Sequence, residues 1–216
     1  MMRNDASLRT RSAARRAIAL ALATLATISA AGCSTPGGKA SVPLETRDAG
    51  GFSISETSRI PARAREDFAE ATRALEAGDL DRAVSLLSEL TKSAPELTAA
   101  RINLGIALAR KGELAEAETA LLAALERNPR HPVAQNELGI AYRRMGRFQD
   151  ARTRFEAALA SHPEFHPAHR NLAILCDLSL ADPACALEHY ERYRTAVPDD
   201  PKVEMWIADL RQRTGR

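Results

Sequence analysis

Aromatic residues are scarce in this chain of 216, at one Trp, three Tyr and five Phe. A core with so few rings is not that of an aromatic-rich β-sandwich. The Ala- and Leu-rich composition suits helices that meet over small-residue seams. Charge of one sign is also lacking. The formal excess of +2 comes from Arg3, Arg9, Arg11, Arg15 and Arg16 against Asp5 alone, and the rest of the chain is close to neutral. Neither nucleic acid nor an anionic membrane surface is therefore a favoured partner of the body. No Gly-rich phosphate loop, nucleophile elbow or HExxH is present, and the acidic residues scatter at spacings typical of solvated helix faces, so no catalytic residue and no cofactor is expected. The length allows one sizeable domain or two small ones.

The longest uncharged apolar run, Ala17 to Ala31, is too short to span a bilayer comfortably. It follows a basic stretch ending at Arg16 and precedes Ala30-Ala31-Gly32-Cys33, so residues 1–32 read as a cleaved export signal. With these residues the chain resembles a bacterial lipoprotein precursor, although Ala30 stands where such boxes more often carry Leu. The resemblance implies that Cys33 becomes the lipidated N-terminus. Ser34, in place of an Asp retention signal, then implies the outer membrane, facing the periplasm. Several acyl chains, at ~0.8 kcal/mol per buried CH₂, would anchor the protein stably. From Ser34 to about Ile60, Gly37-Gly38, Gly50-Gly51, Pro36 and Pro43 interrupt any period, so 33–60 is read as a flexible tether. A short strand around Phe52 and Ile54, added to a partner, is the competing reading.

Downstream, Pro95, Pro129, Pro163 and Pro198 stand 34, 34 and 35 residues apart, each after an Ala-rich helical run. Leu104-Gly105, Leu108, Gly112, Leu114, Ala117, Leu121, Ala124 and Pro129 align without a gap on Leu138-Gly139, Tyr142, Gly146, Phe148, Ala151, Phe155, Ala158 and Pro163. The pattern resembles the tetratricopeptide repeat, a helix-turn-helix unit, with Arg101 and Gln135 in its Trp position. The resemblance implies an all-α, right-handed α-solenoid over 61–214. Its four units run over about 64–97, 98–131, 132–165 and 166–200, and a capping helix over 201–213 carries Trp206 in its buried face. Gly105, Gly139, Ala117 and Ala151 are small where two helices cross. Leu121 and Phe155 are expected to fill the space between units, and Gly112 and Gly146 to end the first helices in the left-handed conformation. The last unit needs one extra residue in its turn, near Asp182-Pro183.

Three groups of residues invite a functional reading. His162, His166 and His169 cluster at the boundary of the third and fourth units. They are conceivable metal ligands, but polar helix-start residues are routine there, and no metal site is expected. Cys176 occupies an inward position and Cys185 faces it across a short turn. In an oxidising compartment they could form a disulfide contributing roughly 2–3 kcal/mol; otherwise they are two small buried thiols. The repeat resemblance further implies a concave face lined by the first helices. It would carry Ile102, Asn103, Ile106, Asn136, Ile140, Arg143, Arg170, Asn171, Ile174 and Asp177, with Arg110 and Arg144 at the margins. Apolar contact for affinity, with donors for backbone and carboxylate groups, suits an extended or helical peptide.

The function expected from these readings is a lipid-anchored periplasmic scaffold that binds another envelope protein. It would resemble the repeat lipoproteins that assist pilus or secretin assembly, or the repeat proteins that accompany envelope energy-transducing complexes. An accessory subunit docking a cell-wall or polysaccharide enzyme is the alternative, and a metal- or ligand-binding module a third.

Overall fold

The computed structural model describes residues 41–47 and 53–215. The expected signal segment 1–32, Cys33, and residues 34–40 and 48–52 of the expected tether lie outside them. Two segments of that tether are not linker. β1 (Ser41–Arg47) and β2 (Ser53–Arg59) pair as an antiparallel hairpin, with Val42 opposite Ser58, Leu44 opposite Glu56 and Thr46 opposite Ile54. Val42, Thr46, Ile54 and Thr57 suit extended backbone, and both strands of a two-stranded sheet are edges, where Pro43 is tolerated. Gly and Pro content hid this pattern in the sequence.

The hairpin leads into an all-α array: α1 (Ala62–Ala77), α2 (Leu80–Ser93), α3 (Thr98–Lys111), α4 (Leu114–Arg127), α5 (Pro132–Arg144), α6 (Phe148–Ser161), α7 (His166–Leu178), α8 (Pro183–Ala196) and α9 (Pro201–Thr214). Odd and even helices alternate as the two arms of each unit, and α9 follows the fourth.

Local chemistry sets the boundaries. The first three units end their first helix at or just before a glycine with positive φ: Gly78 (78°), Gly112 (93°) and Gly146 (75°). The next amide then turns back onto the helix, Asp79 to the Ala74 carbonyl at 2.9 Å, Glu113 to Leu108 at 3.0 Å and Arg147 to Tyr142 at 2.9 Å. The second helices end two residues before Pro95, Pro129, Pro163 and Pro198, with a single cap residue between. Each proline is the second residue of a turn closed by a backbone bond, from Leu97, His131, Phe165 and Asp200 to Ala94, Asn128, His162 and Val197 (3.0, 3.1, 3.0 and 3.3 Å).

Within a unit, a small residue on the first helix faces a large one on the second. A Cβ on Gly105 would lie 2.5 Å from Cγ of Leu121, and one on Gly139 would lie 2.6 Å from Cε1 of Phe155. Leu121 and Phe155 therefore sit against the glycine of their own unit, where the sequence reading placed them between units. Ala173 and Tyr190 occupy the same places in the fourth unit, both buried. The hydrophobic core is continuous from Ile102 to Leu210, and a second cluster runs from Ile60 to Ala107.

The extra residue of the fourth unit changes its turn. Leu180 donates to the Leu175 carbonyl at 3.1 Å, and Asp182 reaches back to Cys176 at 2.9 Å. Ala181 carries the positive φ, 51°, that glycine carries in the earlier units. A Cβ there costs about 1–2 kcal/mol.

Candidate functional site

The first helices α1, α3, α5 and α7 pack on one another from unit to unit, and no two second helices pack to the same extent. The first-helix layer is thus the inner one, the layer on which the sequence reading placed its groove. Ile106, Ile140 and Ile174 stand at 34-residue intervals on α3, α5 and α7, half-buried, and form one apolar row against the core. Four other residues assigned to the groove are spent inside the array. Ile102 is 1% exposed and belongs to the core. Asn103, Asn136 and Asn171 are buried because they bond from unit to unit: Asn103 donates to the Thr72 hydroxyl (3.5 Å) and Asn171 to the Asn136 side-chain oxygen (2.9 Å). Buried amides need such partners, so these residues are no longer free to read a ligand.

The arginines of this face divide by role. Arg110 donates to the Leu75 carbonyl at 3.1 Å, and Arg144 donates to the Ala109 carbonyl, each capping the first helix of the preceding unit. Arg213 of α9 is 2.7 Å from Asp177, whose carboxylate also accepts from the Tyr190 hydroxyl at 3.4 Å. Asp177 is therefore occupied by the capping helix. Arg170 lies over the ring of Trp206, 5.5 Å from its centroid. Arg143 differs from all of these. Its Nε is buried without a hydrogen-bond partner, and no carboxylate among the described residues pairs with it. Burial, and then the like charges of Arg170 and Arg144, hold its pKa below the ordinary arginine value. On the same helix Glu137 is half-buried, and burial raises its carboxyl to about 7 against the opposing effects of the Asn136 amide and Arg110.

The histidines do not converge. His162 is exposed while His166 and His169 are buried. His169 pairs instead with His189, 20 residues on, Nδ1 to Nδ1 at 2.9 Å, and its Nε2 lies 2.8 Å from the Pro163 carbonyl. A carbonyl carries no proton, so His169 Nε2–H donates to it. In the neutral pair Nδ1 of His169 must then accept from Nδ1–H of His189. Burial lowers both pKa values, that of His189 to about 4. The contact also explains the missing Trp. Arg101 and Gln135 occupy the same unit position, and each donates to the carbonyl of its own boundary proline, Pro95 and Pro129.

Cys176 and Cys185 are joined by a disulfide, with Cα atoms 5.9 Å apart. Asp182, between them in sequence, caps α8 by accepting from the Cys185 amide at 3.1 Å. Sequence reasoning missed the burial of Glu137, the role of His189 and the isolation of Arg143; no local signal in the sequence marks the last.

No curated protein matches the chain. Solved structures do. The chain resembles MamA from Desulfovibrio magneticus RS-1 at 21% identity and TM-score 0.62, over 72% of this chain and 87% of that one. It resembles PilF of Pseudomonas aeruginosa at 22% identity and TM-score 0.64 (70% and 69%). It also resembles a thermophilic repeat protein of Thermus thermophilus at 24% identity and TM-score 0.61 (69% and 82%). At these identities the likeness is one of fold. The tetratricopeptide repeat family model matches residues 68–132 and 136–201, more than half of the sequence, and the chain belongs to that family.

Proposed function

We propose that the protein is a non-catalytic, lipid-anchored scaffold of the bacterial envelope, which holds a segment of another envelope protein against its first-helix face on the periplasmic side. The repeat fold is that of a protein-interaction scaffold. The observation that carries the site is the row Ile106, Ile140 and Ile174 beside Arg143, a half-buried cation that the fold leaves without a partner. Apolar contact along the row supplies affinity and the guanidinium supplies direction. Support for anchoring comes from Arg3 to Arg16, the run Ala17–Ala31 and the Ala30-Ala31-Gly32-Cys33 box. Among the described residues no helix is long and apolar enough to cross a membrane.

Two experiments test the two halves. Cross-linked partners are recovered with the wild type and with a folded Ile140→Asp, Arg143→Glu variant; equal recovery by both would remove the first-helix face as the binding site. Cys33→Ser, or globomycin treatment, is expected to release the mature protein from the membrane fraction. A normally processed, soluble wild type defeats the lipoprotein reading.

A further inference from the structure

We infer that Arg143 anchors an internal carboxylate, the Asp or Glu side chain of a partner segment laid along Ile106, Ile140 and Ile174. The inference rests on the first-helix face being the binding site, and it names the chemistry of what binds there. Three observations lead to it. Buried polar atoms are nearly always satisfied, so an exception beside the apolar row leaves room for a partner that the chain itself does not supply. Arg143 Nε is such an exception.

Charge gives the sign of the ligand. Arg143 stands beside Arg144 and Arg170, and each of these neighbours already has work of its own. Arg144 donates to the Ala109 carbonyl, and Arg170 stacks on Trp206. Neither neutralises Arg143, and an arriving anion relieves the repulsion of all three. A planar carboxylate fits the guanidinium fork with two parallel hydrogen bonds.

Position along the row argues for a side chain and against a chain terminus. Arg143 belongs to α5, the third of the four first helices. The row continues on both sides of it, to Ile106 on α3 and to Ile174 on α7, with Trp206 of α9 beyond. A segment ending at Arg143 would leave half of this surface uncovered, whereas one passing through covers it.

Selection from two random peptide libraries tests the inference, one displaying peptides with both ends blocked and one with free C-termini. The bait is the mature chain, as wild type and as Arg143→Gln. The expected result is that the blocked library yields peptides with one internal Asp or Glu flanked by apolar residues. Changing that acid to Gln in a selected peptide should weaken binding to the wild type at least about tenfold, a comparison that needs no protein variant. Against Arg143→Gln the preference for an acid should disappear. Peptides without acidic enrichment, or binders only with free C-termini, would overturn the internal-carboxylate anchor while leaving the face as a binding site. Acidic enrichment that persists with Arg143→Gln would overturn the assignment to Arg143. No selected peptide from either library would overturn both the anchor and the face.

Discussion

Cys176 and Cys185 are bonded across the turn in which Ala181 takes the left-handed conformation reserved elsewhere for glycine. The two features are complementary. An inserted residue lengthens the turn, the non-glycine residue strains it, and the covalent closure removes alternative conformations from the unfolded chain. Ala181→Gly is expected to stabilise the oxidised protein by about 1 kcal/mol, because the relief of the Cβ outweighs the added chain entropy. Replacing both cysteines by Ala should cost about 2–3 kcal/mol. Thermal or urea unfolding measures both, and a neutral Ala181→Gly would show that the strain is relieved elsewhere.

Gly139→Ala tests the helix crossing. An exposed helix position would gain about 1 kcal/mol from this change. Here the new methyl would meet the buried Phe155 ring at 2.6 Å, so a net loss of about 1–3 kcal/mol is expected. A stabilised variant would mean that the ring moves aside freely.

Glu137 makes a pH-dependent prediction. Its folded pKa, about 7, stands above the ordinary 4.5, so the folded state holds a proton that the unfolded state has released. Its contribution is therefore fully present below about 4.5 and falls as pH rises to about 7. Glu137→Gln, which mimics the protonated acid, should leave stability unchanged near pH 4.5 and raise it by about 1–3 kcal/mol above pH 7. Unfolding midpoints of both proteins across this range decide the matter, and a constant difference would refute it.

The histidine pair predicts the opposite slope. His189 titrates near 4 when folded and 6.5 ordinarily, so the unfolded state takes up its proton first and stability falls as pH drops from 6.5 toward 4. His189→Gln should flatten part of this fall. Nitrogen-15 spectra at neutral pH should show His169 protonated on Nε2 and His189 on Nδ1; the reverse tautomers would contradict the bond to Pro163.

The sequence spoke plainly where one residue's local chemistry decides the outcome. Glycines at first-helix ends, prolines after second helices and small residues at crossings each have one conformational or steric cause, and all were readable. The Asn residues were not. An amide on an inner helix can face a ligand or a neighbouring unit, and only the 2.9 Å bond from Asn171 to Asn136 separates the two. His189 was missed because its partner lies 20 residues away. The hairpin of Ser41–Arg47 and Ser53–Arg59 was hidden instead by Pro43 and the glycines around it, which interrupt any period. Arg143 needed the whole array, since being unpaired is a property of every neighbour at once.

The bonds from Arg110 to the Leu75 carbonyl and from Arg144 to the Ala109 carbonyl run from a later unit to an earlier one. They make the array polar, like a row of tiles in which each overlaps the one laid before it. A chain emerging during synthesis gains its finishing contacts only when the following unit appears, and the last of these arrives with Arg213 on Asp177. Pulled from its C-terminus, the array would lose Arg213 from Asp177 first, then the clasp of Arg144 and last that of Arg110. The third unit, facing Leu178 in the equivalent place, has no such clasp to give up.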